Sequence, residues 1–95
     1  MKVTNINGTS DNTCKCGSWL AHWKKFSGQS ITFCPVENCL EKDLVGAHVQ
    51  KDSTTDRNWY ILPLCKTHNA KGKSLTVSDS YKLVSANVSE TCGKK

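Results

Sequence analysis

Cys34-x4-Cys39 and Cys65-x2-His68 are the residues of this chain whose types and spacing are best suited to chemistry. Zinc favours four tetrahedral ligands drawn from thiolate and imidazole, commonly as two close pairs separated by a longer segment. The first pair sits on a compact turn, CPVENC, and the second follows an apolar run, WYILPLC. Each pair needs only local backbone geometry. The 25 residues between Cys39 and Cys65 are enough for a hairpin that brings the two corners together. A Cys3His set leaves no open coordination position, so the expectation is a structural Zn2+ that holds the fold and activates no water. Buried free thiols beside an ordinary histidine are the alternative.

Cys14, Cys16, Cys92 and His22 lie outside that set. The stretch CKCGSWLAH could lend two thiolates and an imidazole to a second ion, with Cys92 as the fourth ligand. A single residue between Cys14 and Cys16 is an uncommon zinc spacing. Free thiols, or a disulfide from Cys14 or Cys16 to Cys92, remain open. His22 also reads as a packing residue beside an aromatic stripe.

These ligands need elements to hold them. In SWLAHWKKFSG, Trp19, Leu20, Trp23 and Phe26 recur at helical spacing. Ser18 is a candidate N-cap and Gly28 a stop, with Lys24 and Lys25 near the C-terminal end. ITF before Cys34 reads as a short strand. LVGAHV and WYILPLC, rich in β-branched and aromatic residues, read as two more, joined by the polar loop QKDSTTDRN. Trp59 and Tyr60 then belong to a strand and its core, or else present rings to unpaired bases. KTHNAKGK reads as one or two helical turns ending near Gly72, and SLTV and YKLVSANV as further strands. The expected organisation is a single small α+β domain with four parts. These are a flexible arm over 1–13, a Cys/Trp helix segment over 14–30, a core over 31–75, and a C-terminal strand and tail over 76–95.

Composition sets bounds on this plan. Ninety-five residues, 37% of them apolar, make a core that gains from a metal staple. The start of the chain lacks the apolar run of a secretory signal, and nothing approaches the length of a membrane span, so a cytoplasmic protein with no membrane partner is expected. In that compartment cysteine clusters point to metal rather than disulfides. Thirteen basic against eight acidic residues leave a net charge of +5, which suits a polyanionic partner.

The order of a cysteine pair, a strand ending GAHV, a polar loop, a strand ending LC and a helix opening THN resembles the HNH endonucleases, over roughly residues 31–75. The resemblance implies a zinc-stabilised treble-clef, or ββα-metal, core carrying an N-terminal amphipathic helix and extra C-terminal strands. It implies His48 as general base for phosphodiester hydrolysis, with a separate divalent ion such as Mg2+ stabilising the developing charge. Asn69 would take the third motif position as a ligand of that ion. Asn58 would stand in for the central asparagine, whose usual place is held by Tyr60. Ala47 stands where a metal-binding aspartate is common, so a carboxylate would have to come from Asp52 or Asp56.

Three functions follow. One is a metal-dependent nuclease on DNA or RNA, with Lys66, Lys71, Lys73 and Arg57 on the phosphates. A second is a nucleic-acid-binding module that keeps the scaffold without the chemistry. The third is a zinc-stapled structural or protein-interaction domain in which His48 is packed and the charge serves solubility.

Overall fold

The computed structural model describes residues 1–6, 18–52, 58–69 and 74–86. They form a small α+β fold. In chain order the elements are β1 (Lys2–Asn5), α1 (Trp19–Ser27), β2 (Leu44–Lys51), β3 (Tyr60–Cys65), α2 (Lys66–Asn69), β4 (Ser74–Thr76) and β5 (Val84–Ser85). The five strands make one antiparallel sheet in the order β4-β1-β2-β3-β5. Among the described residues, no helix is long and apolar enough to cross a membrane.

Residues opposite one another in a ladder share a face of the sheet. Ala47 pairs with Leu62 and Val45 with Leu64, while Gly46 pairs with Pro63 and His48 with Ile61. The first face carries the larger core, in which Val3, Ala47, Val49, Leu62 and Leu64 join Cys34, Cys65, Leu75 and Val77. The second lies beneath α1, where Trp23, Ile61 and Val84 form a smaller cluster.

Helix α1 begins and ends as its sequence dictates. The Ser18 hydroxyl accepts the Ala21 N–H at 3.1 Å. Gly28, with φ of 68°, closes the helix by donating its N–H to the Lys24 carbonyl at 3.2 Å. Two side chains tie the helix to the β5 segment. His22 Nε2–H donates to the Ser85 carbonyl at 2.9 Å, and Trp23 Nε1–H to the Lys82 carbonyl at 2.7 Å. At Gly46 the helix meets the sheet backbone to backbone. A Cβ there would lie 2.3 Å from the Trp19 carbonyl carbon and 2.4 Å from the Leu20 nitrogen. A glycine inside a strand often marks such an approach.

Three expectations change. Residues 2–5 are not a loose arm but a strand between β2 and β4, in which Val3 and Asn5 are buried and Lys2 and Thr4 are not. Four residues of alternation inside a polar stretch are too short a pattern to stand out. Ile31–Phe33 forms no strand. The Cys34 N–H instead reaches the Glu41 carbonyl at 2.8 Å, and Phe33 is left exposed. In YKLVSANV, only Val84–Ser85 is a described strand, paired with Tyr60 and Ile61.

Because the contact at Gly46 is with backbone atoms, a side chain there forces α1 outward. Gly46→Ala is expected to lower unfolding stability by about 1–3 kcal/mol, the usual cost of overpacking. Urea unfolding followed by tryptophan fluorescence reads this directly, and an unchanged midpoint would show that α1 does not seat on Gly46.

Candidate metal centre

Cys34 and Cys39 are held by a corner whose geometry is local. The Cys39 N–H donates to the Val36 carbonyl at 3.0 Å, closing a tight turn. Asn38 adopts φ of 64° within it, a left-handed conformation that asparagine tolerates. The corner is fastened to the chain beyond β4. Val36 bridges Val77, the Glu37 N–H donates to the Thr76 carbonyl at 3.0 Å, and the Ser78 N–H to the Pro35 carbonyl at 3.0 Å.

Cys65 and His68 come from the junction of β3 and α2. Cys65 pairs with Leu44 at the end of the β2–β3 ladder, and the Lys66 N–H donates to the Asp43 carbonyl at 3.2 Å. One helical turn then brings His68 to the same side as Cys65. The ligand atoms of all four residues lie within 4.8 Å of one another. Cys39 Sγ and Cys65 Sγ are 3.9 Å apart, and His68 Nδ1 lies 3.6 Å from Cys34 Sγ and 3.2 Å from Cys65 Sγ. A tetrahedral zinc would place two sulfurs roughly 3.8 Å apart and a sulfur and nitrogen roughly 3.6 Å apart. These four residues are therefore close enough to bind one metal ion, and the three cysteines are free thiols rather than disulfides.

The electrostatics show what an ion would supply. Burial pushes the Cys34 thiol up to about 12, although backbone N–H groups of Cys65 and Val36 point at its sulfur and favour the thiolate. At neutral pH the metal-free thiol keeps its proton. A cation removes the cost of burying the thiolate, so metal uptake releases that proton and weakens as pH falls.

His48 stands apart from this cluster. It is 5% exposed and faces α1, its ring 4.7 Å from Trp19 and 6.0 Å from Trp59, both edge-on. Burial, reinforced by the nearby His22, lowers its pKa below the usual imidazole value. Its Nε2 has no hydrogen-bond partner among the described residues. Ala47 is a core residue of the opposite face. Position 60 shares that opposite face through its pairing with Val49, and Asn58 precedes the strand. The place that Asn58 would fill therefore lies on the face of the sheet opposite His48. Asn69 ends α2, where its carbonyl accepts from the Asn5 side chain. Lys66 is exposed at the start of α2. Asp52 accepts from Ser74 at 2.6 Å and Thr4 at 3.4 Å, at the β1–β4 edge. Arg57, Lys71, Lys73, Asp56, Cys14, Cys16 and Cys92 lie outside the described residues. Trp19 walls His48, a contact that helical periodicity alone does not specify and that Gly46 inside an apolar strand signals. Comparison with protein-family models, curated proteins and solved structures gives no match.

Two outcomes follow. Purified protein is expected to carry about one zinc per chain by elemental analysis, and chelation to unfold it, because structural sites contribute folding energy outright. A zinc content near zero, or a fold unmoved by chelator, would remove the metal centre. The depressed pKa of His48 contributes stability above the unfolded imidazole value of about 6.5, and this is lost as pH falls through the lower folded value. His48→Gln should flatten that slope below pH 6.5 in protein whose metal charge-transfer absorbance is constant. An unchanged slope would assign the acid sensitivity to another group.

Proposed function

We propose that this chain is a zinc-stapled, HNH-like treble-clef module that binds DNA or RNA without hydrolysing it. The observation that carries the scaffold is the Cys34, Cys39, Cys65 and His68 cluster. Its two pairs come from a turn and a strand-to-helix junction, with the β2–β3 hairpin between them. Four protein ligands fill a tetrahedral ion, which leaves that ion a structural role. The surroundings of His48 weigh against hydrolysis. A general base must come within about 2.6–3.2 Å of the proton it removes, directly or through one water. His48 is instead enclosed by Trp19 and Trp59, and its strand neighbour is an alanine. The net charge of +5 and the exposed Lys66 beside the metal corner supply attraction for phosphates.

One observation favours the nuclease as a second reading. His48 is held neutral and its Nε2 is uncommitted among the described residues, the state a base needs before it takes a proton. Catalysis would then require the Trp19 ring to move aside and Mg2+ to be held by Asn69 with a carboxylate.

A single pair of measurements decides between them. Binding of labelled DNA and RNA is expected to weaken steeply between 50 and 200 mM salt, by about a hundredfold for about four neutralised phosphates. Supercoiled plasmid should remain intact in Mg2+ or Mn2+. Nicking that His48→Ala abolishes would establish the nuclease. Absence of binding at low salt would leave the zinc-stapled structural domain.

A further inference from the structure

We infer that the C-terminal end of α1, with the β5 segment tied to it, is a platform for single-stranded nucleic acid. This rests on the nucleic-acid reading above and names its face and substrate class. Lys24, Lys25 and Phe26 are exposed in the last turns of α1. Lys82 is exposed in the segment bonded to this helix end. Its carbonyl accepts from Trp23, its N–H donates to the Gln29 side-chain oxygen at 2.8 Å, and the Gln29 amide donates to the Ser80 carbonyl at 2.9 Å. Basic residues in a last turn also complement the helix dipole, which would account for Lys24 and Lys25 without a ligand. Lys82 is not on the helix, so the dipole does not account for it.

Among the described residues, the two segments that build this end carry one sign of charge. Residues 18–36 and 80–86 contain Lys24, Lys25 and Lys82 and no aspartate or glutamate. The described acids lie outside these two segments, and Asp79, which adjoins the second, is ion-paired. Asp79 pairs with the Met1 ammonium at 2.6 Å, and Asp52 holds the β1–β4 edge. Glu37, Glu41 and Asp43 belong to the metal corner and its neighbours.

Phe26 gives the patch its preference for unpaired bases. The ring is 39% exposed, with Lys25 Nζ 5.5 Å from its centroid. Behind it lies the His22 ring at 4.9 Å, itself fully buried and bonded to Ser85. The aromatic surface therefore stands on a fixed support, with the Lys25 ammonium against the ring and Lys24 and Lys82 exposed on the same helix end and the segment bonded to it. An exposed ring among lysines stacks on a base while the lysines follow the backbone. In a duplex the base faces are already stacked, and only the phosphates would be reached.

The test is fluorescence anisotropy with labelled oligothymidylate and with a duplex of equal length, across a salt series, on the zinc-loaded chain. Tighter binding of the single strand is expected. Phe26→Ala should weaken single-strand binding roughly 5- to 150-fold, the range for one stacked base. The triple variant K24Q/K25Q/K82Q should reduce the log–log salt slope by about 2, from about 0.7 per phosphate contact. The control K2Q/K42Q/K51Q removes equal charge elsewhere and should leave the slope nearly unchanged. Zinc content and near-ultraviolet circular dichroism verify that each variant is folded. Equal losses in the two triple variants, or single-strand binding unmoved by Phe26→Ala and K24Q/K25Q/K82Q, would overturn this face while leaving nucleic-acid binding intact. Tighter binding of the duplex would overturn the substrate class. Failure to bind either probe would overturn the underlying reading and this inference together.

Discussion

The convergence of Cys34, Cys39, Cys65 and His68 is the constraint on which the arrangement of the chain depends. The turn at residues 34–39 is fastened to the β4 side of the sheet, whereas Cys65 and His68 lie at the end of β3. Between them along the sheet stand β1 and β2. A shared ion would close this path into a ring, in which the corner, the outer strand and the central hairpin hold one another in place. In a chain of this size such a closure would replace apolar area that a larger core would supply. The buried Cys34 sulfur carries the opposing demands: backbone donors favour its charged form while burial opposes it, and a cation would reconcile the two.

The second organising contact is the seat of α1 on Gly46. It is purely steric and sets the environment of His48. Because the helix backbone touches the strand backbone, Trp19 is brought onto the imidazole and closes the face on which a hydrolytic site would need access. His22, Trp19 and His48 then form a run of rings from the helix into the sheet. The same docking presents the other end of α1, with its lysines and Phe26, to solvent. Closing one surface and presenting another are two results of one helix placement.

The readable parts of the sequence were those in which function or structure is written locally. The Cys3His cluster declares itself by residue type and spacing, and α1 by its aromatic period, its serine cap and its glycine stop. The β2–β3 hairpin was visible as two apolar runs. The strand at residues 2–5 was not, because its stability comes from two partner strands rather than from its own four residues. The surroundings of His48 were hidden for the same reason. Its motif is local, but its access is decided by a helix about twenty-five residues earlier in the chain. Ala47 hinted at the outcome, since its small apolar side chain suits a packed sheet better than an ion.

Whether Cys34, Cys39, Cys65 and His68 hold an ion, and how, is read directly from metal coordination. X-ray absorption at the zinc edge of protein purified without added metal should show three sulfur neighbours at about 2.3 Å and one nitrogen at about 2.0–2.1 Å, with no bound water. A shell of nitrogen and oxygen alone, or a coordination sphere with an open, water-filled position, would contradict a closed structural staple at Cys34, Cys39, Cys65 and His68.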